Sequence, residues 1–169
     1  MSDLQIVRSD LEKFEEFSKS LIELPVSHIW RGYGSALFLE FGNLTPHFLK
    51  TGRRMKNDQG EMGLGIEWSW RIEDEHSILA GSWSEEEGWN HFFECLKGTH
   101  VTGVQLFGRL PEVQLSFSNG MYLCSMMTAD GDPSWWLSKR KDGTTVSVSV
   151  ISGSLVWEST IDDADPKER

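Results

Sequence analysis

Hydrophobic residues recur along this chain with two periods, and each period predicts a different kind of element. Near the start, Phe14, Phe17, Leu21 and Leu24 follow helical spacing. Ser9 is placed to cap that helix, Glu12 completes a capping box three residues on, and Pro25 closes it. A second helix is signalled by Ser84 and Glu87 ahead of the stripe Trp89, Phe92, Phe93 and Leu96. There Lys97 complements the dipole of the last turn, and Gly98 suits the position just past the end. Elsewhere the period is two. Leu37, Leu39 and Phe41 alternate with Phe38 and Glu40, and Ile66, Trp68, Trp70 and Ile72 alternate with Glu67, Ser69 and Arg71. Val113, Leu115 and Phe117, and later Val146, Val148 and Val150, alternate with polar residues in the same way. Asn119-Gly120 between alternating runs is a strong hairpin signal, and Lys141-Asp142-Gly143 and Ser152-Gly153 mark two further reversals. The second half therefore reads as an antiparallel meander.

The two halves also match each other. From Gly32 and from Gly108 the sequence aligns without a gap, pairing Leu39 with Leu115, Phe41 with Phe117 and Asn43 with Asn119. The helices keep nearly the same offset, Phe14 with Trp89 and Phe17 with Phe92. This points to an α+β fold of two tandem helix-plus-antiparallel-strand units arising by internal duplication, each helix packed on one face of a sheet. The units would span residues 1–83 and 84–160 of one compact domain, with a polar C-terminal tail at 161–169. The alternative is a single β-barrel or sandwich with two peripheral helices.

Composition narrows the function classes. At 169 residues, with 38% hydrophobic and 25% charged content, the chain suits one globular domain with its own core. A net charge of −10 argues against nucleic acid, and the basic residues Arg53, Arg54 and Lys56 sit in a Gly/Asn/Asp-rich loop. The same charge favours a basic protein partner. The N-terminal residues resemble no signal or transit peptide, and no apolar run is long enough for a membrane span. Cys95 and Cys124 lack C-x-x-C spacing, which fits a reducing, cytoplasmic compartment.

No catalytic signature emerges. The five histidines are scattered, so neither a dedicated metal site nor a cofactor is expected. Both cysteines read as small buried hydrophobes, Cys95 beside a helix stripe and Cys124 on a strand. Gly63-Leu64-Gly65 lacks the third glycine and following helix of a dinucleotide fingerprint. Asp130-Gly131-Asp132-Pro133 reads first as a turn. Among eight tryptophans, Trp68, Trp70 and Trp89 belong to apolar faces and are assigned to the core. Trp135 and Trp136 are adjacent on a strand and must point to opposite faces.

The runs RGYGSALFLEFGNLTP, GEMGLGIEWSWRIE, FGRLPEVQLSFSNG and TADGDPSW resemble a group of bacterial proteins with no assigned activity, over about Leu24 to Trp157. The resemblance implies a bacterial, free-standing protein and carries no functional residue. The leading expectation is thus a non-catalytic protein-interaction protein, immunity-like or antitoxin-like, using acidic residues such as Glu73, Asp74 and Glu75. The alternative is a small-molecule binder or modest hydrolase with a pocket between the units. The candidate ligand or partner residues are Trp30, Arg31, Tyr33, Arg109, Asp130, Asp132 and Trp136.

Overall fold

The computed structural model describes the backbone of residues 2–162 and the side chains of residues 10–162. Helix α1 (Ser2–Ser18) runs into a 3-10 turn (Lys19–Leu21) and is followed by β1 (Val26–Arg31), β2 (Leu37–Phe41) and β3 (Met62–Ile66). Next come β4 (Trp70–Glu73), β5 (Ile78–Gly81), a 3-10 turn (Glu86–Gly88) and α2 (Trp89–Leu96). The chain ends with β6 (Val101–Phe107), β7 (Glu112–Phe117), β8 (Tyr122–Ser125), β9 (Trp135–Lys141), β10 (Thr144–Ile151) and β11 (Ser154–Ile161). Of the tail foreseen at 161–169, residues 163–169 lie outside the described residues.

The α+β expectation of two helix-plus-strand units is overturned. The protein is mostly β, with one six-stranded sheet ordered β1-β2-β3-β9-β10-β11 and one five-stranded sheet ordered β5-β4-β8-β7-β6. Every ladder is antiparallel, and each sheet takes strands from both sides of residue 83. The chain changes sheets twice, between β3 and β4 and again between β8 and β9. The even alternation from Ile66 to Ile72 hid the first change, because an apolar face can continue across a break in pairing. The two crossings lie side by side, with Met126 N–H donating to the Ser69 carbonyl and Glu67 N–H to that of Ser134.

Neither anticipated capping box forms. The α1 backbone is already helical from Ser2, which places Ser9 and Glu12 inside it, and the Ser9 side chain lies outside the described residues. Ser84 instead bonds both backbone groups of Gly81 and accepts the indole N–H of Trp89 at 3.0 Å. It thereby fixes the turn ahead of α2 rather than capping it.

The residue matches between the halves have a positional counterpart in this mostly-β frame. Leu39 pairs with Leu64 and Leu115 with Leu123, each on the middle strand of its meander. Both first strands carry an irregularity, between Val26 and His28 in β1 and between Val101 and Gly103 in β6. Phe14 meets Trp135 edge-on at 5.9 Å, and Trp89 meets Trp70 edge-on at 5.1 Å. The indole N–H groups of Trp135 and Trp70 donate to the carbonyls of Pro111 and Ser35 respectively. Segments ending at Val26 and Val101 also bond each other reciprocally, Val26 N–H to the Thr99 carbonyl and Val101 N–H to that of Leu24. Each is reached through a residue with positive φ, Glu23 at 71° and Gly98 at 84°. Only one of the two is glycine, so Glu23 holds a conformation disfavoured for an L side chain.

One core joins these elements. Phe14, Leu21, Leu39, Leu64, Leu96, Leu115, Trp135 and Leu137 are each 0–2% exposed. Burying a Leu-sized side chain contributes roughly 1.5–3 kcal/mol.

Candidate functional site

The first sheet turns an unusual face away from that core. By alternation and pairing it carries His28 and Trp30 from β1, Phe38 and Glu40 from β2, and Gly63 and Gly65 from β3. Trp136, Ser138 and Arg140 from β9 complete it. Glycine is required where the flat groups cross β3. A Cβ on Gly65 would overlap the Trp136 ring, and one on Gly63 would press on both Arg140 and Glu40.

The rings of this face form a row, with centroids of His28 and Trp30 at 4.9 Å, Trp30 and Phe38 at 5.4 Å, and Phe38 and Trp136 at 6.1 Å. His28 and Trp30 lie 21° from parallel, and Trp30 and Phe38 29°, so these rings occupy one another's faces. Trp136 donates its N–H to Glu67 at 2.9 Å. The row forms a half-buried layer over this part of the sheet. Trp30 and Trp136, both candidate binding residues from the sequence, belong to it.

Beside the row lies an ion pair. Glu40, 3% exposed, accepts Arg140 at 2.7 Å and the N–H of Gly60 at 2.9 Å, while Arg140 also reaches the Gly60 carbonyl. Burial pushes the Glu40 carboxyl above its usual range, and the Arg140 guanidinium pulls the other way. Both Glu40 oxygens have donors and Gly60 is bonded through both its N–H and its carbonyl, so the pair anchors the long β2–β3 connection to the sheet. His28 helps there by meeting Asn57 at 2.9 Å.

The open chemistry is at the β3–β4 crossing and at the β1–β2 and β5–α2 loops tied to it. Tyr33 and Trp83 are 101% and 86% exposed, and Trp68 is 47% exposed. Two serines bring their segments together, since the Trp68 carbonyl accepts the hydroxyls of Ser35 at 2.8 Å and Ser82 at 3.4 Å. Gly131 backs onto the Trp68 ring, where any Cβ would collide with it. Arg31 stands alongside, bound to Glu86 and the Gly34 carbonyl and 5.1 Å from the Trp89 ring. Glu85, Glu86 and Glu87 are exposed directly after Trp83. Trp68 was expected in the core and is a correction: it sits in the crossing, where no partner strand covers it. Trp83 was not singled out. Its signal was a large apolar residue stranded between Ser82 and Ser84 in a turn.

The remaining candidates border the same loops. Asp130 is exposed beside Gly131. Asp132 accepts the N–H of Ser152 at 2.9 Å and its hydroxyl at 3.3 Å, fastening the β10–β11 turn. Exposed Arg109 lies in the β6–β7 turn, whose Leu110 packs near Gly153 of that same turn. Two open hollows lie away from these loops. One of about 390 Å³ on the second sheet is lined by Glu73, Asp74, Glu75, Gln114 and Tyr122. Another of about 480 Å³ is lined by Phe17, Lys139, Lys141, Asp142, Thr144 and Val146.

Within the acidic hollow the carboxylates are partly committed. Glu73 holds Arg71 at 2.6 Å, and Asp74 accepts the N–H groups of His76 and Ser77, which lower its pKa. Cys124 is buried as expected; its burial, with Glu73 nearby, pushes the thiol up to about 12. Cys95 is a second correction, because it is exposed on α2.

No family model, curated protein or solved structure matches the chain. Among the described residues, no helix is long and apolar enough to cross a membrane.

Proposed function

We propose that this chain is a non-catalytic protein-interaction protein of immunity-like or antitoxin-like type, acting in the cytoplasm, which docks a basic protein through the loop end around Tyr33, Trp68 and Trp83. The observation that carries this reading is the exposure of three aromatic side chains on loops tied to one another. Burying one such ring removes about 150–250 Å², a gross gain of roughly 4–6 kcal/mol that the free protein forgoes. Aromatic anchors rimmed by charge are the usual make-up of interface hot spots. The rim here is acidic, Glu85 and Glu87 with the Arg31-bound Glu86, on a chain of net charge −10, and it selects a basic partner.

The test is capture from native lysate with tagged wild-type protein and the Tyr33→Ala/Trp83→Ala variant in parallel, at low and moderate salt. The expected result is a basic protein retained in stoichiometric amount by wild type, weakened by salt and lost in the variant. A partner held equally by both proteins would overturn the assignment of this end.

A further inference from the structure

Helix α2 is held to the body by Trp89, Phe93 and Leu96, each no more than 5% exposed. Its opposite side is free, and one pair stands out there. His91 and Cys95 are both exposed, one helical turn apart, with Cys95 Sγ 3.9 Å from His91 Nε2. A tetrahedral zinc ion sits about 2.0–2.1 Å from an imidazole nitrogen and about 2.3 Å from a thiolate. Those bonds place the two donor atoms about 3.5 Å apart, close to the separation already present.

The helix under the pair is also fixed at its end. Asn119 donates to the Cys95 carbonyl at 3.0 Å and is itself held by the N–H of Met121, which ties the last turn of α2 to the β7–β8 turn. Among the described residues, no third His, Cys, Asp or Glu joins the pair in a cluster able to hold a metal ion. Two positions of a tetrahedral ion therefore stay open to water or to an outside ligand.

We infer that His91 and Cys95 form a two-ligand surface site for a thiophilic divalent cation of the Zn²⁺ class. On binding, the Cys95 thiol gives its proton to solvent and the thiolate bonds the ion, while neutral His91 donates the Nε2 lone pair. Cys124 does not compete, being buried with its thiol pushed up to about 12.

The probe is Co²⁺, titrated into the full chain under a non-chelating reductant and followed by its thiolate charge-transfer band. A saturable band displaced by Zn²⁺, absent in Cys95→Ser and lost or no longer saturable in His91→Ala, supports the site. One ion per two chains, with a dimer by light scattering, also supports it and supplies the open positions from a second copy. Absence of a band, a band persisting in Cys95→Ser, or an unchanged titration in His91→Ala overturns it. Both side chains are exposed, and thermal melts of the variants superimposable on wild type would show that folding is intact.

Discussion

At one register the first sheet sets Gly65 opposite Trp136, while at the matching register the second sets Cys124 opposite Arg71. The same contrast repeats along the strands. Phe38 and Glu40 lie across from Gly65 and Gly63 in the first sheet, where the second has Gln114 and Ser116 across from Cys124 and Tyr122. Gly65 and Gly63 on β3 leave room for Trp136, Arg140 and Glu40 to cross the first sheet. On β8 of the second sheet Cys124 and Tyr122 stand where β3 has glycines, and an open acidic hollow lies alongside. A shared strand order thus fixes where side chains project, and the middle-strand residues decide whether the face closes.

The largest expected break in this contrast is Arg140→Ala. It strands Glu40, 3% exposed, without its counter-charge and should cost about 3–5 kcal/mol, read from urea unfolding. Arg71→Ala removes a cation from the second sheet, paired with Glu73 at a wetter site, and should cost no more than about 1 kcal/mol. Equal losses would mean that the two faces are not different in kind.

A smaller effect separates the glycines. Gly65→Ala must displace Trp136 and should cost about 1–3 kcal/mol. Gly103, on the matching face of β6, has only Ser116 Oγ near, at 3.4 Å from where a Cβ would lie, so Gly103→Ala should stay within about 0.5 kcal/mol. Differential scanning calorimetry of the two variants checks the order.

The smallest effect is one of pH. Burial holds the folded pKa of Glu40 above its ordinary value, so between the two values the folded state binds the proton that the unfolded state has released. Stability therefore falls as pH rises through that window. Glu40→Gln should remove this fall, so the wild-type-minus-variant difference slopes downward from the ordinary carboxylate value to the raised one. A flat difference would show that Arg140 fully offsets the burial.

Much of this was legible in the sequence and some was not, for physical reasons. The stripes at Phe14 and Trp89, the strand around Leu39 and the Asn119-Gly120 turn follow from local periodicity, which neighbouring residues alone determine. Sheet membership does not. It depends on which distant strand supplies the ladder, and Ile66–Ile72 looks the same whether it is one strand or two joined by a crossing. Trp68 was misplaced for that reason. Tyr33 and Arg31 were recognisable beside a glycine-rich bend, but that Ser35 of this bend and Ser82 share the Trp68 carbonyl is a tertiary fact. The row running from Trp30 through Phe38 to Trp136 was likewise hidden, because its last ring needs the space over Gly65, a tertiary use of that glycine.

The central claim is that the exposed aromatic end, and not the acidic hollow, receives a basic partner. The direct measurement is the affinity of the captured partner for three proteins: wild type, Trp83→Ala, and the Glu73→Lys/Asp74→Lys/Glu75→Lys variant. Trp83→Ala should fold within about 0.5 kcal/mol of wild type, being a surface change, yet weaken binding by about 2 kcal/mol, near thirtyfold. The charge-reversal variant should bind less tightly mainly at low salt. Unchanged affinity in Trp83→Ala, with binding abolished at all salt concentrations by the charge reversal, would contradict the account and move the docking surface to the hollow on the second sheet.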